Sequence, residues 1–189
     1  MWLEEGRGIG WSPGVLLRYH PPMVIRKGSS DDVSVVLGMF DSAVAWLAAR
    51  GRTGQWGSRP FSADPARVER VTEWAASGGM WIAEVDGEPA GCAVLGAAVD
   101  YVPPAREPEL YVQGLVIDQR FRGHGVGSAL LGHARAEAAG RGVALLRVDC
   151  YAGDDGRLVE YYESQGFTRT EPFKVGEWPG QVLELRLPG

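Results

Sequence analysis

The chain has 189 residues, 45% of them hydrophobic and 23% charged, with a formal net charge of −5. That length suits one domain with a substantial core, and the acidic balance argues against nucleic acid as a partner. No apolar run approaches the roughly 18 residues of a membrane span, and no secretory signal opens the chain, so a cytoplasmic protein without a membrane partner is expected.

Residues 1–22 show no clean period and are rich in glycine and proline. They read as a poorly ordered N-terminal extension, with the folded domain over 23–189 and Met23 an alternative start. A packed N-terminal arm is the competing reading. From Met23, MVIRKG reads as a first strand. Ser30 before Asp31 and Asp32 marks a helix start, and Val33, Val36, Leu37, Phe40, Val44 and Leu47 give it one apolar face. A loop with two aromatics, Trp56 and Phe61, leads to Asp64-Pro65, a cap followed by a first-turn proline, and a second helix running to Gly78.

Met80–Val85, the turn Asp86-Gly87 and Ala90–Ala98 form a hairpin pattern. A proline-containing connection precedes the strand Leu110–Ile117 (LYVQGLVI), and a third helix, Ser128 to Gly140, follows. Val143–Cys150 is a near-continuous apolar run, as a strand buried on both faces requires. Asp154 or Asp155 caps a fourth helix closed by Gly166, and Phe167–Phe173 with Gln181–Leu187 make a terminal hairpin around EWPG. The order β α α β β β α β α β β is a mixed α/β layer fold. Cys92 and Cys150 fall in apolar runs and read as buried free thiols. The three histidines, His20, His124 and His133, lack ligand-like spacing, so no metal is expected.

Between the fourth strand and the third helix lies Arg122-Gly123-His124-Gly125-Val126-Gly127-Ser128. Alternate glycines remove Cβ atoms, and a helix start presents unpaired N–H groups and the positive end of its dipole. Together they make an anion cradle suited to a pyrophosphate. A P-loop would close on Gly-Lys-Ser/Thr, and Gly127-Ser128 lacks the lysine. A dinucleotide fingerprint has other glycine spacing and belongs near the first strand.

This turn, followed downstream by Tyr161-Tyr162-Glu163-Ser164-Gln165-Gly166-Phe167, resembles the GNAT superfamily of acetyl-CoA-dependent N-acetyltransferases, from about Met23 to the C-terminus. The resemblance implies a GNAT-like fold: a central mixed, mostly antiparallel sheet with helices on both faces and splayed fourth and fifth strands. The pantetheine arm of acetyl-CoA would lie in that splay, on main-chain groups of Leu115, Val116 and Ile117, with the pyrophosphate on Arg122, Gly123, His124, Gly125, Val126, Gly127 and Ser128. Gly114 within the strand suits a bulge or a close backbone approach.

Tyr162 matches the family's tyrosine near the thioester sulfur and is the candidate acid, packing being the alternative for it and for Tyr161. Asp149 stands where some members carry a base, with Glu109 and a water relay as rivals. Asp155 stands where the family often has a cofactor-contacting asparagine; an aspartate there would repel phosphate, so no such role is carried over. Trp56, Phe61 and Trp178 are candidate substrate-binding aromatics, which with acids such as Glu107 and Glu109 would suit a cationic amine with an apolar body. Trp56 as a core plug is the plain alternative. The expected activity is acetyl transfer from acetyl-CoA to a primary amine of a small molecule. A protein or peptide acceptor, or an inactive acyl-CoA-binding sensor, are the alternatives. Monomer and homodimer both remain open.

Overall fold

A computed structural model describes residues 22–188; apart from Pro22, the expected extension over 1–22 lies outside the described residues. The elements are β1 (Met23–Lys27), α1 (Val33–Ala48), α2 (Pro65–Ala76), β2 (Met80–Val85), β3 (Glu88–Gly96) and β4 (Glu109–Ile117). They continue as α3 (Val126–Gly140), β5 (Leu145–Tyr151), α4 (Arg157–Ser164), β6 (Thr168–Val175) and β7 (Trp178–Arg186). This is the order the sequence pattern predicts. Among the described residues no helix is long and apolar enough to cross a membrane.

Local chemistry sets most of the boundaries. Ser29, one residue before the expected cap, accepts from the Asp31 N–H, while Asp32 accepts from the Ser29 N–H at 2.8 Å. This capping box opens a single 3₁₀ turn that leads into α1. Asp64 caps α2 by accepting from the Ala66 N–H at 3.0 Å, with Pro65 in the first turn. Asp86 and Gly87 both take positive φ, 53° and 79°, as a tight hairpin turn requires. The terminal hairpin turns earlier than expected, at Gly176-Glu177, and Trp178-Pro179-Gly180 belong to β7. Gly180 serves close approach there: a Cβ on it would collide with the Phe173 ring.

One sheet of seven strands, ordered β1-β2-β3-β4-β5-β7-β6, forms the centre. Every neighbouring pair is antiparallel except β4 and β5. Helices α1 and α2 cover one face through Val36, Met39, Phe40, Val44 and Val71, packed on Met80, Ile82, Cys92, Val94 and Val116. Helices α3 and α4 cover the other through Leu130, Leu131, Ala134, Val159 and Tyr162. The central strand β3 is buried from Ala90 to Leu95, since both layers press on it.

The parallel pair decides the architecture of the site. β4 and β5 pair only from Glu109 with Leu145 to Val112 with Val148. Beyond that, Gly114–Ile117 stay on β3 while Asp149–Tyr151 stay on β7, so the two strands part. A register shift opposite Val94 and Leu95 leaves Gln113 as the extra residue of a bulge. Gly114 beside it also lets the Trp74 ring of α2 approach, since a Cβ there would lie 2.9 Å from that ring.

Candidate active site

At the open end of the gap, Asp118 caps a 3₁₀ turn (Gln119–Phe121) by accepting from the Arg120 N–H at 2.9 Å, and pairs with the Arg120 side chain at 3.0 Å. The chain then passes Gly123 and Gly125, at φ 83° and 78°, into α3. A Cβ at either glycine would meet nothing within 4 Å. Glycine is needed there for the left-handed backbone, and the space above it is open. No side chain caps α3, so its first N–H groups keep their capacity to bind an anion. Gly127 has a different reason. The Tyr161 hydroxyl occupies the place a Cβ would take and lies against Ser128.

Arg122 does not reach freely into solvent. Its guanidinium stacks over the Trp46 indole at 3.9 Å, and Arg50 lies over the same ring at 4.0 Å. Neither arginine has a carboxylate partner among the described residues. Trp46 is half-buried and lies off the apolar face of α1, and nothing in its spacing pointed to this contact. His124 is exposed at the rim, with Nδ1 3.3 Å from the Arg122 carbonyl.

In the gap, the side chains of Leu115, Val116 and Ile117 pack into the cores on the two faces. What these residues can offer a ligand is therefore main chain on the β5 side. Below them lies Tyr162, 5% exposed, edge-on to Tyr161 at 5.5 Å and to Phe167 at 5.8 Å. Burial holds its phenol pKa well above the ordinary value, with Cys150, Tyr161 and Asp149 adding to the effect, so the hydroxyl keeps its proton.

On the α1/α2 face, Asp149 of β5 accepts a 2.6 Å hydrogen bond from the Tyr111 hydroxyl of β4. Burial raises the Asp149 pKa above the usual carboxylate range, and the Tyr111 bond partly offsets this. The fully buried Tyr111 phenol is in turn pushed up, first by burial and then by Asp149. Glu109 differs in kind. Arg147, itself 4% exposed, donates to both its oxygens at 3.1 and 3.3 Å and also to the Pro103 carbonyl. The Glu109 carboxylate is thus tied into a buried pair, which argues against a role as proton acceptor.

The expected aromatic wall is redistributed. Phe61 is 5% exposed and stacked on Phe40 at 4.3 Å, so it belongs to the core. Trp56 packs edge-on to Phe40 at 5.5 Å and borders an open depression of about 520 Å³ on the α1–α2 loop, away from the strand gap. Trp178 keeps its place near the gap. It joins a chain of rings: Tyr101 to Phe173 at 5.7 Å, Phe173 to Trp178 at 6.1 Å, and Trp178 to Tyr151 at 5.5 Å. Burial, with Asp149 adding to it, pushes the Tyr101 phenol up to about 12. Trp178 Nε1 also donates to the Gln55 carbonyl at 3.1 Å, and Arg52 pairs with Asp155 at 2.6 Å. The α1–α2 loop is thereby strapped to β7 and to the β5–α4 loop. Asp155 is engaged there and with Arg157, and Glu107 pairs with Arg186 at 2.8 Å on the surface.

Among the described residues, no group of three or more His, Cys, Asp or Glu could hold a metal ion. Both cysteines are buried and free. Residues 45–167 match the model of the acetyltransferase (GNAT) family. No functionally curated protein matches the sequence. Among solved structures, a GNAT-family acetyltransferase from Listeria monocytogenes is similar, with a TM-score of 0.67 and 20% identity over 87% of this chain and 95% of that one. The structure of yncA from Salmonella typhimurium with its cofactor acetyl-CoA gives a TM-score of 0.59 and 20% identity, over 88% and 94%. Ribosomal-protein-alanine N-acetyltransferase from Brucella melitensis gives 0.62 and 21%, over 87% and 99%.

Proposed function

The chain belongs to the acetyltransferase (GNAT) family, and we propose that it passes the acetyl group of acetyl-CoA directly to a primary amine of a small molecule while both are bound. The observation that carries this reading is the end of β4–β5 pairing after Val112 and Val148, with an uncapped, glycine-built helix start at the open end. The β5-facing edge of Leu115, Val116 and Ile117 suits the amides of pantetheine, which pair with it as an added strand does. The main chain of Gly123, His124, Gly125, Val126, Gly127 and Ser128 suits the pyrophosphate, with the Arg122 charge alongside. The open space over Gly123 and Gly125 fits such a group.

Asp149 takes one proton from the bound ammonium, and the freed lone pair forms the new N–C bond at the acetyl carbonyl. A main-chain N–H near Val116 or Ile117 stabilises the developing oxyanion. As the C–S bond breaks, Tyr162 gives its phenolic proton to the departing thiolate. The second amine proton restores Tyr162 by way of water, and Asp149 returns its proton to solvent. The balance is one ammonium and one thioester in, and one amide, one thiol and one proton out. The raised Asp149 pKa brings the base closer to the working pH, as general base catalysis requires.

The small-molecule acceptor is supported by the strap of Arg52–Asp155 and Gln55–Trp178, which walls one side of the Asp149 face. A peptide needs an open groove. Free-thiol release from acetyl-CoA, followed across small primary amines and short peptides, tests the reading. Release with small amines is the expected outcome. Release with peptides alone would move the acceptor to a protein N-terminus or lysine, and bound acetyl-CoA with no release would leave an acyl-CoA-binding module.

A further inference from the structure

Resting on that reading, we propose that the acceptor is a protonated primary amine carried on a flat aromatic body. Its nitrogen sits at Asp149 and its ring lies on the surface built by Tyr101, Phe173, Trp178 and Tyr151. Strand register puts these groups on one face. Asp149 lies opposite Val182, Tyr151 lies opposite Gly180, and Gly180 lies opposite Phe173. Trp178, two residues before Gly180, shares that face, and Tyr101 reaches over it from the β3–β4 connection to the Phe173 ring. Gly180 is the device that flattens the surface, because the absence of a Cβ lets the Phe173 ring lie on the β7 backbone.

The surface is neither core nor ordinary exterior. Tyr101 is 46% exposed, and Phe173, Trp178 and Tyr151 are half-buried, beside one largely desolvated carboxylate; the outer end of the Tyr151 ring packs against Gly54 and Gly153. One carboxylate among π faces recognises one cation with an apolar body, and aromatic walls favour a ring over an aliphatic group of equal size. The neighbouring charges support the same choice. Arg147 is taken by Glu109, and Asp149, held by the Tyr111 hydroxyl and a backbone hydrogen bond, has no ion-pair partner among the described residues; Arg70 of α2 acts on the Tyr101 phenol and not on Asp149. Residues two apart on a strand are about 7 Å apart, so a ring on Tyr151 and Trp178 reaches Asp149 through a short alkyl spacer.

The test compares 2-phenylethylamine, 2-cyclohexylethylamine and a tetrapeptide with a free N-terminus. Each is titrated calorimetrically into the CoA-saturated protein and assayed for thiol release with acetyl-CoA. The expected result is about tenfold tighter binding and about tenfold higher kcat/KM for 2-phenylethylamine than for its saturated analogue. Phe173→Leu is expected to weaken 2-phenylethylamine about tenfold while changing the acetyl-CoA KM far less. If that variant fails to fold, Tyr101→Leu at the exposed end of the ring chain gives the same comparison. Equal binding of the two amines, preference for the peptide, or indifference to both substitutions overturns the inference. Selective 2-phenylethylamine binding without thiol release would sink the transfer reaction and leave the ring surface standing.

Discussion

Asp149 holds a carboxylate where ionisation is costly: burial raises its pKa, and the Tyr111 hydroxyl, a backbone hydrogen bond and the more distant Arg147 charge offset this only in part. With the folded pKa above the unfolded one, the linked stability is fully present below the ordinary carboxylate range. It is lost as pH rises through the raised value. At neutral pH the ionised group therefore costs stability. Asp149→Asn removes that cost and still accepts from Tyr111, so the melting temperature at pH 7 is expected to stay level or rise. Turnover is expected to fall by about 10²–10⁴, and the acid limb of the wild-type kcat/KM profile to lie above the usual carboxylate range. A clear drop in melting temperature with turnover intact would make Asp149 structural. Tyr162→Phe is expected to cut kcat with little change in acetyl-CoA affinity, which single-turnover rates and titration calorimetry separate. Sequence reading reached both positions, because one ends a strand and the other lies in the tyrosine–glycine–phenylalanine run. It could not see Tyr111, a mid-strand tyrosine whose role depends on a partner 38 residues away.

At the scale of elements, the β4–α3 turn works because two glycines supply positive φ and leave open space. Gly125→Val puts a β-branched residue at φ 78° on the helix N-cap. It is expected to abolish stabilisation by acetyl-CoA, and retained thermal stabilisation would show that the anion binds elsewhere. The opening of α1 carries a different load. Arg26 holds the Asp32 pKa below its ordinary value while Asp32 closes the capping box with Ser29. This stability is present above the unfolded carboxylate pKa and disappears as pH falls through the depressed value. Asp32→Asn is expected to cost about 1–2 kcal/mol at neutral pH by urea titration, with the gap closing in acid. The Asp64 cap, the glycine turns and the β2–β3 hairpin were legible because their signals are local, whereas the first helical turn is capped by Ser29 rather than Ser30, and α4 starts on Gly156 rather than on an Asp154 or Asp155 cap. The terminal turn was misplaced by the Trp178-Pro179-Gly180 run, whose glycine answers to the Phe173 ring on the neighbouring strand.

For the whole molecule, two helical layers fix a sheet that is paired everywhere except where β4 leaves β5. A ligand bridging that gap binds the folded state alone. Acetyl-CoA at a hundred times its Kd should add about 2.7 kcal/mol. For a domain of this size that corresponds to a rise of about 5–10 °C in melting temperature. No shift at millimolar ligand would remove the cofactor assignment.

The order of elements, the glycine turn after the fourth strand and the tyrosine segment could all be read from the sequence, and the family resemblance they carry implied the acetyl donor. The elements and the turn are written in neighbouring residues, through periodicity, caps and turn glycines. Tertiary packing chose which side chains meet around the strand gap. It sent Phe61 into the core, tied Glu109 to Arg147, stacked Arg122 on Trp46 and gathered Tyr101, Phe173, Trp178 and Tyr151 beside Asp149. These contacts join residues distant in the chain through strand register and helix packing. A sequence pattern specifies which face a residue occupies, while its partner there depends on how the layers close.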